Sequence, residues 1–288
     1  MKFIKKGQAC KDLSSHHKAK GSYPFNQSLK DKVLQNLLEE QGFLCGFCMR
    51  KISENNATIE HLISQSFNND SRGYEYTKMF SAYQKNLEEL IGRVKKKDSN
   101  NLGKKHDTNY KNMIAVCEGN KNKFCIEGMT CDKKRATCQG KRPLLFITPL
   151  NKIKMDDIKF SPNGVIYYKS FLTVEKIDDL AKSKKITQEQ KYKGFTQHDV
   201  NYHLSVDENI QYDLNHVLNL NCAGLVEKRA GILTSIRRTL SRNTNPQNYK
   251  EIAKKRARSL LVEWEKKTNS QFNEFCEVAI FRLKKELS

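Results

Sequence analysis

Cys45 and Cys48 stand two residues apart in FLCGFCMRKISENNATIEHLISQS, and Glu60 and His61 follow side by side. Thiols at that spacing can bind one metal ion, because a tight knuckle turns both sulfurs toward the same point. A carboxylate is a hard oxygen donor suited to Mg²⁺ or Mn²⁺, and a neutral imidazole can take a proton from water near pH 7. Together they predict a structural metal beside a hydrolytic centre of the kind nucleases use. The acid and imidazole carry a geometric demand. Successive side chains on a strand point to opposite faces, so Glu60 and His61 serve one site only at a bent strand end.

The surrounding pattern supplies elements to hold these groups. SLKDKVLQNLLEEQ, from Ser28 to Gln41, carries Leu29, Val33, Leu34, Leu37 and Leu38 at helical spacing, and Gly42 is placed to stop the helix. That helix delivers the chain to Cys45. LCGFCMRK is expected to turn as a knuckle into a short strand, and ATIEHLIS, rich in β-branched and apolar residues, to form a second. The polar, basic, Gly-interrupted stretch from Gly92 to His106 reads as an exposed loop, whose charge, with His106 in it, suits a phosphate backbone. NMIAVC leads to Cys117 as a helix or strand, EGNKNKFCIEGMTC is loop-like, and CDKKRATC fits a short helix. LLFITPL and GVIYY, separated by Pro and Gly turns, read as strands. From Thr173 onward the pattern is mostly helical. Its clearest pieces run from Tyr212 to Leu240 and from Tyr249 to Leu287, where Ala253, Ala257, Leu260, Leu261 and Trp264 trace one face. The expected class is α+β, mostly α, with a site-bearing region at 1–170 and a helical region at 171–288.

Composition narrows the partner. The 288 residues carry 52 Lys and Arg against 32 Asp and Glu, a formal charge of +20, which suits a phosphate-rich partner and makes nucleic acid the first candidate. A run of ~18 apolar residues is absent, and the basic start MKFIKKGQACKDLSSHH lacks the apolar core of a secretory signal. The expectation is a cytoplasmic protein with no membrane partner. In that compartment its nine cysteines favour metal binding or burial over a disulfide framework. A tetrahedral zinc site needs a second pair of thiols beside Cys45 and Cys48. Cys117, Cys125, Cys131 and Cys138 are all available, and none forms a second C-x-x-C. Cys117 with Cys131 is the preferred completion, since each abuts a candidate site segment, and Cys125 is the main rival for the fourth position. Cys10, Cys222 and Cys276 read as buried thiols. His16, His17, His198, His203 and His216 lack a companion at metal-ligand spacing and fit surface or packing roles.

The ordered set LCGFC, IEHL, NYKNMIAVC and TCDKKR resembles the HNH, or ββα-metal, endonucleases. The nearer likeness is to the HNH subunit of Septu-type and retron-associated anti-phage defence systems. It is carried by QGFLCGFC, by AVCEGN followed by a separated TCD, and by LNLNCAGLVEKRAGIL at Leu218 to Leu233. The resemblance implies a zinc-stapled ββα-metal core with surrounding helices. Within it Glu60 would bind a catalytic Mg²⁺ or Mn²⁺, His61 would act as general base, and Asn112 would orient that base. Asp132 would complete the catalytic metal site, and Arg135 would stand near the scissile phosphate. The paired cysteines match the family's zinc staple. Two departures stand out: the second cysteine pair is split, and Asp132 and Arg135 replace the frequent Asn and Lys. An Asp retains an oxygen ligand for the ion. Asp132 has a rival role as a helix N-cap, and Asn112 as a turn residue.

The implied activity is hydrolysis of a nucleic-acid phosphodiester, with DNA the expected substrate. The implied partner is an ABC-type ATPase encoded beside the nuclease, and the retron likeness adds a reverse transcriptase and its RNA–DNA product. No G-x-x-x-x-G-K-[ST] element occurs in this chain to supply an ATPase of its own. A reading of a different class is a zinc-stapled nucleic-acid-binding subunit without cleavage, and His61 separates the two. The basic residues Lys254, Lys255, Arg256 and Arg258, and the earlier Arg237, Arg238 and Arg242, suit either ATPase docking or duplex DNA.

Overall fold

Two helices open the chain, α1 at Lys11–Lys18 and α2 at Gln27–Gln41. The computed structural model describes residues 1–63, 106–119, 129–137, 147–169 and 206–288. The Asn26 side chain starts α2 by accepting the Leu29 N–H at 2.9 Å, and all five apolar residues of its predicted face are buried. Gly42 ends it in the left-handed region at φ 61°, where an added Cβ would overlap the Phe272 ring. The chain then enters the knuckle. Cys45 N–H donates to the Arg50 carbonyl at 2.9 Å and Met49 N–H to the Cys45 carbonyl at 3.0 Å, closing the turn around both thiols. The strand expected to leave the knuckle is reduced to one bridge between Leu44 and Lys51.

β1, at Ala57–His61, pairs antiparallel with β2, at Met113–Cys117, with Ala57 opposite Cys117 and His61 opposite Met113. NMIAVC is thus a strand, and all five residues of β2 are buried. A buried strand with an open edge would strand its backbone polar groups. Gln41 closes that edge from the end of α2. Its amide donates to the Ala115 carbonyl at 2.8 Å and accepts the Ala115 N–H at 2.7 Å, as a third strand would. α3, at Cys131–Thr137, packs on β2, so the described order here is β, β, α.

A turn of helix at Lys152–Asp156 (α4) leads to a small hairpin, β3 at Ile158–Phe160 and β4 at Ile166–Tyr168. β4 falls within GVIYY. The described end of LLFITPL, Ile147 to Leu150, forms a turn and no strand, because Pro149 takes part in chain reversal while its carbonyl accepts the Ile4 N–H. α5 at Val206–Tyr212 runs into a π-helical turn at Asp213–Val217, and α6 spans Ala223–Ser241. The single helix expected from Tyr212 to Leu240 is therefore interrupted, since Asn219 adopts φ 49° and reverses the chain. The segment Tyr249–Leu287 likewise divides into α7 at Tyr249–Glu265 and α8 at Cys276–Leu287. Asn269 and Ser270 lie in the left-handed region between them, in a polar stretch with no apolar stripe to hold a helix.

One buried apolar cluster runs from Met1 and Leu13 through α2, the knuckle and both hairpins to Leu225, Leu233, Phe275 and Val278. A second joins α6, α7 and α8 around Ile236, Ala253, Ala257 and Ala279, with Leu260, Leu261 and Trp264 packed on it. Cys222 is disulfide-bonded, so its expected role as a plain buried thiol is corrected. Cys125, Cys138, His198, His203, the loop from Gly92 to Lys105 and the boundary at 170/171 lie outside the described residues. No helix among the described residues is long and apolar enough to cross a membrane.

Candidate functional site

Three elements bring four sulfurs together. Cys45 and Cys48 come from the knuckle, Cys117 from the end of β2 and Cys131 from the start of α3, all buried and with ligand atoms within 4.8 Å of one another. Cys131 takes φ 53°, and its N–H donates to the Leu218 carbonyl at 2.9 Å, which fixes the ligand that sequence spacing left most open. Cys45 and Cys131 sulfurs lie 3.9 Å apart, and those of Cys48 and Cys117 3.8 Å apart. Zinc–sulfur bonds of about 2.3 Å in a tetrahedron put sulfurs about 3.8 Å apart. The donor set therefore fits zinc in both chemistry and size. Arg50 donates from Nε to Cys48 Sγ at 3.3 Å and from a terminal nitrogen to Cys117 Sγ at 3.0 Å.

His61 ends β1 with its ring buried. Nε2 lies 2.8 Å from the Asp107 carbonyl oxygen, which can only accept, so the neutral ring carries its proton there and its lone pair on Nδ1. Burial lowers the imidazole pKa and the Arg135 charge adds to this, against the opposing Asp107 carbonyl, so the ring is neutral at pH 7. The Tyr23 ring covers it edge-on at 5.0 Å, and Tyr23 N–H donates to Asp107 Oδ2 at 3.2 Å.

Glu60 points to the other face of β1, where its carboxylate pairs with Arg135. Burial pushes Glu60 up to about 8; Arg135 opposes the rise and the neighbouring Asp132 adds to it. Asp132 lies in the first turn of α3, one residue past its start, so it is not the N-cap of that helix. Tyr23 connects the two faces of the strand. Its ring touches His61, while the phenol pKa is raised by burial and then by the charges of Asp132 and Glu60.

Two expected roles take a different form. Asn112 is fully buried and its amide clamps the backbone: Oδ1 accepts the Ile63 N–H at 2.7 Å, and Nδ2 donates to the Ile63 and His106 carbonyls, each at 3.1 Å. It holds the chain on both sides of the His61–Asp107 contact rather than touching the ring. Arg135 is likewise buried. Besides Glu60, it donates to the His61 and Leu62 carbonyls at 2.8 Å each, tying off the end of β1 instead of facing outward toward a phosphate. Asp107 and Tyr23 are the contributors that motif reading missed. Asp107 acts partly through its carbonyl, which no residue type signals, and Tyr23 reaches the site only because α1 and α2 fold its connection over β1.

Glu60 and Asp132 offer adjoining hard oxygen donors whose mutual repulsion a divalent ion would relieve, and Mg²⁺ commonly takes one or two protein carboxylates. Among the described residues, the four cysteines form the one group of three or more candidate ligands. His16 and His17 have hydrogen-bond partners, the Ser22 carbonyl at 3.1 Å and Thr108 Oγ1 at 2.7 Å. No family model and no curated protein matches this chain.

Proposed function

We propose that the chain is a metal-dependent HNH-type endonuclease that hydrolyses phosphodiester bonds, with DNA as its substrate. The observation that carries this reading is a neutral, buried His61 whose Nδ1 keeps its lone pair, next in sequence to a Glu60 that adjoins Asp132 on the opposite face of β1, at the end of a β-β-α unit held by four cysteines. His61 would take a proton from water at Nδ1. Asp107 keeps the opposite nitrogen protonated, and Asn112 holds the backbone that sets this contact. Glu60 and Asp132 would hold Mg²⁺ or Mn²⁺, which when bound supplies positive charge to a phosphate gaining negative charge. Zinc at the cysteines would fix the knuckle, β2 and α3 relative to one another. The net charge of +20 suits nucleic acid.

The placement in an anti-phage complex with an ABC-type ATPase rests on the resemblance of QGFLCGFC, AVCEGN with its separated TCD, and LNLNCAGLVEKRAGIL. A second reading, a zinc-stapled nucleic-acid-binding subunit without cleavage, is favoured by one contact: Arg135 already neutralises the carboxylate that would bind the catalytic ion. Replacing His61 with Ala separates them. With zinc content and DNA affinity unchanged, Mg²⁺-dependent plasmid nicking should fall by about 100-fold or more. Undiminished nicking would exclude His61 as the base and, with it, this mechanism.

A further inference from the structure

Arg229, in α6, is 1 % exposed and makes its hydrogen bonds to neutral oxygens. It donates to the Gly164 carbonyl at 2.6 Å, the Leu220 carbonyl at 2.6 Å and Asn221 Oδ1 at 3.2 Å. A guanidinium placed out of water without a carboxylate is costly, and three uncharged acceptors do not cancel its charge. Two of its acceptors, Leu220 and Asn221, belong to the turn whose Leu218 carbonyl takes the Cys131 N–H, which ties the guanidinium to the four-cysteine cluster. Arg50 approaches the same cluster from the knuckle, through direct contacts to Cys48 and Cys117.

Four thiolates around one divalent zinc leave two net negative charges, in a place where all four ligands are buried. Arg50 and Arg229 supply two positive charges. The α-amino group of Met1 shares this neighbourhood, but burial and then the Arg229 charge push it down to about 5, so it adds none at pH 7. We propose that Arg50 and Arg229 are the counter-charges of the metal-bound four-cysteine centre, making zinc and the seating of α6 mutually dependent. The Leu218–Asn221 turn provides the connection: Leu218 accepts from the ligand Cys131, and Leu220 and Asn221 accept from Arg229. Emptying the centre would leave Arg229 buried with no opposing charge and so loosen the start of α6.

The inference depends on the cysteine centre and not on nuclease activity, which the His61 variant tests separately. The full chain is titrated against a chromophoric chelator for zinc affinity, with Co²⁺ absorption reporting thiolate coordination. Arg229→Met should weaken zinc by about 10–100-fold and Arg50→Met by a similar factor, the range for groups that support metal ligands from behind. Arg229→Lys, which keeps the charge, should lie closer to the parent. Wild-type affinity in a folded Arg229→Met chain would overturn the proposal. So would an equal loss in the Lys and Met variants, which would assign the effect to the hydrogen bonds. Should Arg229→Met fail to fold, hydrogen exchange on the parent chain decides: zinc removal should deprotect the first turns of α6, and unchanged protection there would refute the coupling.

Discussion

His61 and Glu60 are neighbours in sequence but point to opposite faces of β1, and burial shifts their pKa values in opposite directions. Burial lowers His61 below its ordinary 6.5, so the ring stays unprotonated and competent as a base into mildly acidic solution. If His61 is the base of the proposed hydrolysis, the acid limb of its pH–rate profile should fall below pH 6.5. Glu60 has the reverse linkage. Its folded value near 8 exceeds the ordinary 4.5, so the fold retains a proton that the unfolded chain releases between those limits. Stability of the metal-free protein should decline as pH rises from about 5 to 8, by an amount on the order of a few kcal/mol at ~1.4 kcal/mol per unit. Glu60→Gln should flatten that decline in denaturant titrations, and an unchanged slope would assign it elsewhere. Asn112→Ala strips buried partners from Ile63 and His106 and should cost about 2–4 kcal/mol. The residue types at Cys45, Cys48, Glu60 and His61 were legible because side-chain chemistry is written in the sequence. The Asp107 carbonyl and the inward turn of Arg135 were not, since both depend on which backbone atoms end up nearby.

At the level of elements, local signals succeeded where capping and apolar spacing agreed. α2 has both, with Asn26 at one end, Gly42 at the other and its leucines in register, and its limits differ from the reading by one residue. Breaks inside the C-terminal helices escaped notice because Asn219, Asn269 and Ser270 take left-handed conformations that helical periodicity does not encode. Closure of β2 escaped as well, for it relies on a side chain imitating a strand. Gln41→Leu would keep the volume but leave the Ala115 N–H without its partner, while the carbonyl keeps the Gly46 N–H, costing about 1–3 kcal/mol. A drop in unfolding midpoint at unchanged denaturant slope would confirm that the edge, and not the compactness of the chain, has been altered.

Over the whole molecule, the excess of positive charge is distributed unevenly between structural and exposed uses. Arg229 and Arg135 are buried, and Arg256 donates to the Leu240 carbonyl at 3.1 Å and to the Arg242 carbonyl, closing the end of α6. Arg237, Arg238 and Arg242 are exposed along that same end. A basic helix end so arranged can meet phosphates with the exposed three while the fourth secures the backbone beneath them. Each phosphate contact adds about 0.9 to the slope of log affinity against log salt on duplex DNA. Changing Arg237, Arg238 and Arg242 together to Gln should therefore lower that slope by up to about three and weaken binding without shifting the unfolding midpoint. Arg256→Gln should do the opposite, lowering the midpoint and sparing the slope. Equal effects from both variants would place the nucleic-acid contact elsewhere on the protein and leave this helix end to a protein partner.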